Sequence, residues 1–187
     1  ACIQACRSRY DLMDSSGRTL VRNRSLLSLK DYSLKDRIED LAEAGVVSFK
    51  IEGRLKNGSY VKNVVRDYSL ALDWLVARHP EKYARASYGH VTEGFTPDPV
   101  KTFNRGYTEL FLDGKRGNWA SGDSAKGMGE EVGTVSWLNG DKSSVRISPK
   151  QGAPVRLNNG DGFSFVSGRA EAIGFRGDVC EGHTIRC

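Results

Sequence analysis

Two periodicities divide this chain. From Ser25 to about Arg78, short strand-like apolar runs alternate with helix-like ones. Ser25-Leu26-Leu27-Ser28-Leu29 suits a buried strand. Asp36 is placed to cap a helix carrying Ile38, Leu41 and Ala42 at the i, i+3, i+4 spacing, and Gly45 then stops it. Val46-Val47-Ser48-Phe49-Lys50-Ile51-Glu52 predicts a second strand, with Phe49 and Ile51 on one face and Lys50 and Glu52 on the other. After a glycine-bounded loop, Ser59 is placed to cap a long helix. Tyr60, Val61, Val64, Val65, Tyr68, Leu72 and Leu75 keep its apolar period until His79-Pro80 ends it. Strand, helix, strand, helix with short links predicts βαβ units of a parallel sheet. Two units are too few to close a barrel of eight.

The pattern then changes. Residues 84–123 read as a connector, since Pro97 and Pro99 disfavour a regular element and Gly106, Gly114, Gly117 and Gly122 punctuate the rest. Phe103, Tyr107 and Phe111 supply aromatic surface that packs this connector against a neighbour. From Gly129 onward short strands follow one another between glycine turns. Asn139-Gly140-Asp141 is a hairpin turn, and Asn158-Asn159-Gly160-Asp161-Gly162 makes another. Even spacing of such strands predicts a small antiparallel β-barrel. The expected organisation is therefore an α/β segment over 1–83, a connector over 84–123 and a β-domain over 124–187.

Composition narrows the function classes. The 187 residues carry a net charge of +5, compatible with a polyanionic partner, although scattered Lys and Arg chiefly solvate a surface. No apolar run is long enough to span a membrane, and the first residues do not make a signal peptide. A cytoplasmic setting follows as the expectation, with the four cysteines reduced. They sit at the two ends: Cys2 and Cys6, then Cys180 and Cys187. A Cys-x3-Cys pair can ligate metal or an iron–sulfur cluster, whereas the later pair reads as ordinary thiols of a terminal strand. The chain opens in mid-motif without an initiating Met, which suggests a segment excised from a longer protein.

Three stretches go beyond generic pattern. Ser25-Leu26-Leu27-Ser28-Leu29-Lys30-Asp31 is followed by Ala44-Gly45-Val46-Val47-Ser48-Phe49-Lys50-Ile51-Glu52-Gly53-Arg54-Leu55-Lys56, and then by Ser59-Tyr60-Val61-Lys62-Asn63-Val64-Val65. Together they resemble the collagenase-like peptidase family U-thirty-two, with its signature S-x-K-I-E-G-R-x-K. Cys2 to Tyr10 is similar to the family's cysteine segment, and Lys101 to Thr108 and Asn159 to Gly162 also match. The details resemble the branch that hydroxylates a ribosomal RNA cytidine.

That resemblance implies a fold and a chemistry. The fold is the last βα units of a TIM-like barrel followed by a small antiparallel β-barrel, so the amino-terminal remainder of the barrel becomes a partner. The implied chemistry is base hydroxylation of ribosomal RNA, with an iron–sulfur cluster and with prephenate as co-substrate. Cys2 and Cys6 would be cluster ligands, and sister branches carry a further Cys where this chain has Ser33.

Lys50, Glu52 and Arg54 lie at i, i+2, i+4, so a persistent strand would point all three to one face. Arg54 can grip a carboxylate with a bidentate fork, with Lys56 and Lys30 as further substrate contacts, and Glu52 or Lys50 can transfer a proton. A structural ion-pair network is the alternative for the same charges. Arg7, Arg9, Lys62 and Arg105 are candidate phosphate contacts, with Lys115 and Arg116 beside them. No Gly-x-Ser-x-Gly elbow or His-Glu-x-x-His helix is present, and His79, His90 and His183 are scattered. Two rival readings stay open: a protease acting on collagen-like chains, and a non-catalytic RNA- or protein-binding module.

Overall fold

The computed structural model describes residues 3–53, 56–89, 94–114, 117–122, 126–152, 154–166 and 172–187. Chain order runs β1 (Tyr10–Met13), β2 (Thr19–Leu29), β3 (Asp31–Tyr32), α1 (Ile38–Glu43), α2 (Gly58–Arg78), β4 (Tyr107–Thr108) and β5 (Ala120–Gly122). Then come β6 (Gly133–Leu138), β7 (Ser144–Pro149), β8 (Gly162–Val166), β9 (Ala172–Arg176), β10 (Val179–Glu181) and β11 (Thr184–Arg186). The chain divides into two units: Ala1–Leu29 with Ala120–Cys187, and Lys30–Trp119.

In the first unit, β1 and β2 form an antiparallel hairpin, and β5 pairs with the other edge of β2. The turn is built by Asp14, whose carboxylate accepts the Ser16 and Arg18 backbone N–H groups at 3.0 Å each and the Ser16 hydroxyl at 2.6 Å. Gly17 there adopts φ +81°, which favours glycine. Those hydrogen bonds hold the Asp14 carboxyl below the usual carboxylate range. The run ending at Leu29 is a strand, as the sequence predicts, but both its neighbours are antiparallel. It therefore does not open a βαβ unit.

The same unit contains the later strands. A four-stranded sheet has the order β10-β11-β7-β6, and β8 and β9 form a separate hairpin. Among the described residues neither closes into a barrel. Alternation on β7 sends Val145 and Ile147 inward, where they join Ile185 in a buried cluster. Phe163, Phe175 and Cys180 pack against it, and the two phenyl rings stack at 5.5 Å. Burial pushes the Cys180 thiol up, so this sulfur behaves as a core group.

The second unit is smaller in secondary structure. Helix α2 begins at Gly58 because the Asn57 side chain accepts the Tyr60 N–H at 2.9 Å; Asn57, and not Ser59, is its cap. His79 ends it as expected. Helix α1 follows a 3-10 turn at Lys35–Arg37, and no side chain caps it, so Asp36 lies one residue too early. Strands β3 and β4 pair in parallel, Asp31 opposite Tyr107. Residues 46–52 form no strand, and Val47 is 95% exposed. A strand needs a hydrogen-bonding neighbour, and no described strand runs beside this segment. Of the stretch read as a connector, β4 falls in this unit and β5 in the first.

Candidate functional site

A cavity of about 940 Å³ opens in the unit Lys30–Trp119. Helix α2 supplies one wall through Tyr60, Val64, Asp67 and Tyr68, which its 3.6-residue period places on one face. Strands β3 and β4 supply Asp31, Tyr32, Tyr107 and Thr108. Leu41, Val46, Phe49 and Ile51 add an apolar wall.

Polar groups around this space are mostly fixed. The Tyr68 hydroxyl accepts the Leu34 N–H at 3.1 Å and lies 3.3 Å from the Ser33 hydroxyl. Lys35 Nζ pairs with Asp67 at 3.2 Å. Asp31 accepts both the Arg105 backbone N–H at 2.9 Å and its guanidinium at 3.1 Å. The Tyr107 hydroxyl donates to the Pro99 carbonyl at 3.1 Å. Burial pushes the Tyr107 phenol up to about 12, helped by Tyr60 and nearby carboxylates. Burial, then the Asp31 charge, raises Tyr60 as well. Both phenols are therefore neutral hydrogen-bonding groups at physiological pH, not proton-transfer bases.

Lys50 and Glu52 pair with each other at 2.9 Å, with side chains 85% and 66% exposed. Both line the cavity and neutralise one another, although the segment that carries them is not a strand here. That pairing raises the Lys50 ammonium's pKa through the Glu52 hydrogen bond. Arg54, with Cys2, Lys115, Arg116 and His90, lies outside the described residues. Lys56 sits over the Phe103 ring, 3.2 Å from its centroid, and Arg105 stacks on the same ring at 4.5 Å. The Lys30 stem packs beside Gly106.

Of the phosphate-contact candidates, Arg7 and Arg9 fall in one unit and Lys62 and Arg105 in the other. Arg7 donates to the Ser28 hydroxyl and the Leu29 carbonyl, tying the amino-terminal turn to β2. Arg9 and Lys62 are exposed, in different units, and the Arg105 side chain is only 12% exposed. Cys6 is a free, exposed thiol, and no group of three metal-binding side chains forms among the described residues. Of the two candidate cluster ligands, Cys6 is therefore the one described, since Cys2 lies outside the described residues. The acids on the cavity's described lining are each met by a cation: Asp31 by Arg105, Asp36 and Asp67 by Lys35, Glu52 by Lys50 and Glu109 by Arg37.

Sequence reasoning took Tyr60 and Tyr68 as part of an apolar stripe and gave Asp31, Lys35 and Asp67 no role. The signal was available on α2, where Tyr60, Asp67 and Tyr68 recur at i, i+7 and i+8. Asp31 and Tyr107 meet only through a pairing across more than seventy residues, which no local pattern encodes.

The chain belongs to peptidase family U32, whose model matches residues 1–121 and so spans the cavity and the Lys50-Ile51-Glu52 segment that lines it. It is 39% identical over 180 residues to the 23S rRNA 5-hydroxycytidine synthase of Escherichia coli (strain K12), covering 96% of this chain and 26% of that protein. A Collagenase of Porphyromonas gingivalis is 34% identical over 121 residues, 64% of this chain and 31% of the relative. A tRNA hydroxylation protein of Bacillus subtilis (strain 168) is 31% identical over 159 residues, 80% and 36% respectively. The chain thus spans about a quarter to a third of the length of these relatives. No solved structure matches it. No helix among the described residues is long and apolar enough to cross a membrane.

Proposed function

We propose that the full-length protein hydroxylates a pyrimidine base of RNA, with a ribosomal RNA cytidine as the first candidate. The observation that carries this reading is a match to a 23S rRNA 5-hydroxycytidine synthase over 96% of the chain, well past residue 121 where the family model ends. The cavity is compatible with it. Its size accommodates a nucleoside, and its tyrosines and apolar wall suit a base turned out of its stack. Protease chemistry gains nothing from the geometry: His79 bonds Glu39 at 2.8 Å, and no nucleophile is paired with it among the described contacts.

The chain by itself is inactive on this reading, because most of the enzyme lies outside it. Residues 46–52 become a strand of a TIM-like barrel once the amino-terminal remainder provides neighbours. The later strands belong to the small β-barrel appended to it. An iron–sulfur cluster would take Cys2 and Cys6 from this chain and its other ligands from the remainder. Prephenate, as co-substrate, needs a cation beyond those already paired at the cavity, and Arg54 beside the Lys50–Glu52 pair in sequence is the candidate. A cytoplasmic location and a ribosomal RNA partner complete the proposal.

Nucleoside mass spectrometry of ribosomal and transfer RNA tests it, comparing cells that lack the gene with cells complemented by the full-length protein. Loss and restoration of one hydroxylated pyrimidine is expected. An unchanged nucleoside profile, with gelatin cleavage by the protein purified free of other proteases, would favour the collagenase-like reading.

A further inference from the structure

The outer face of the four-stranded sheet carries a tryptophan where its packing does not need one. Strand β6 pairs Val135 with the buried Ile147, but Trp137 pairs with the exposed Arg146, because an irregularity inserts one residue between Val135 and Trp137. With regular pairing Trp137 would oppose the buried Val145 and face the core. The bulge turns it outward instead. Trp137 is 48% exposed there, comparable to Val135 at 54% and Leu138 at 51% on the opposite face of this edge strand, and what sets it apart is the Arg146 guanidinium 5.7 Å from its ring centroid.

Apart from Val179 opposite Arg186, the neighbours on this face are polar. Arg146 pairs across to Thr184, whose hydroxyl its Nε reaches at 3.5 Å, and Thr184 in turn opposes Glu181. Arg186 lies one pair further and bonds Glu181 at 3.3 Å. An open indole flanked by a guanidinium and hydroxyls complements an unpaired RNA strand: the ring stacks a base, arginine meets phosphate, and hydroxyls meet ribose.

The matches to relatives bear on the span that holds this face and not on the residues at it. An alignment covering 80% or 96% of this chain includes the positions of Trp137 and Arg146 wherever it begins, and those are the two matches to proteins named for RNA hydroxylation. The family model stops at residue 121, and the Collagenase match covers 64% of the chain.

We infer that the outer face of the β6-β7-β11 sheet is a docking platform for single-stranded RNA, with Trp137 stacking one base and Arg146 holding the adjoining phosphate. This deepens the RNA reading of the preceding subsection and rests on it. The test is fluorescence anisotropy of the full chain with a labelled, unstructured oligocytidine RNA. Trp137→Ala is expected to weaken binding about tenfold or more, and Trp137→Phe to retain most of it. Arg146→Ala is expected to weaken binding and reduce the salt slope by about one. Circular dichroism verifies that each variant is folded.

Equal affinity of Trp137→Ala and wild type for the RNA overturns the platform, as does loss in Trp137→Ala of binding to an extended peptide that pairs with the β6 edge while RNA affinity holds. The parent reading is scored separately. If the nucleoside profile changes on gene loss while Trp137→Ala binds normally, only the platform falls. If Trp137-dependent binding holds and no RNA base is hydroxylated, only the enzymatic reading falls.

Discussion

Asp31 is the joint between β3 and the turn that leads into β4. Its carboxylate accepts the Arg105 backbone N–H at 2.9 Å and the Arg105 guanidinium at 3.1 Å, with side chains 26% and 12% exposed. Hydrogen bonds to a charged partner contribute about 1.5–3 kcal/mol each, and breaking a fully buried ion pair costs about 3–5 kcal/mol. Partial exposure brings the expectation for Asp31→Ala down to about 3 kcal/mol. Asp31→Asn should cost about 1–2 kcal/mol, since the amide oxygen can still accept the backbone N–H. With an m-value of about 1–2 kcal/mol/M, the alanine variant's urea midpoint should fall by about 1.5–3 M. Tryptophan fluorescence follows the transition, with Trp119 a reporter in the same unit. A double-mutant cycle with Arg105→Met should show coupling above about 1 kcal/mol. A midpoint for Asp31→Ala within about 0.3 M of wild type would refute the assignment of Asp31 as this joint.

Alkaline pH probes the cavity wall. The Tyr107 phenol is raised to about 12 and Tyr60 is raised too, so the fold favours their protonated forms. Their stabilisation is complete below the ordinary phenol value of about 10 and is lost as pH rises towards 12; thermal midpoints that climb across that window would contradict it. Asn57→Ala should cost about 1 kcal/mol in thermal unfolding, whereas Ser59→Ala should change it by less than about 0.3 kcal/mol, and the opposite order would return the cap to Ser59. A Cβ at Gly177 would lie 2.7 Å from both Ile185 and Phe163. Gly177→Ala should therefore destabilise by about 1–3 kcal/mol in denaturant titration, while Gly174→Ala, with its nearest atom at 3.7 Å, stays within about 0.5 kcal/mol.

What the sequence made legible was local. The long helix with its end at His79 and the Asn139-Gly140 hairpin follow from spacing and turn chemistry. Helix α2 needs no distant partner to reveal its apolar stripe. The first hairpin was also readable, because Asp14-Ser15-Ser16-Gly17 carries turn chemistry between two strand-like runs, yet it was passed over. Residues 46–52 show the converse. Their alternation is real, but a strand is a relation between two segments, and none of the described strands supplies the second. The bulge that exposes Trp137 was not legible at all, since one inserted residue changes no composition or period strongly enough to be noticed.

The most direct test is hydroxylation in vitro. Purified full-length protein is incubated in air, with dioxygen as the oxidant, together with prephenate and RNA from cells lacking the gene, and the digested nucleosides are weighed. A gain of one oxygen atom on a single pyrimidine is the result expected here. RNA that stays unmodified in the presence of an intact, cluster-loaded protein would contradict the assignment of this chain to an RNA-hydroxylating enzyme.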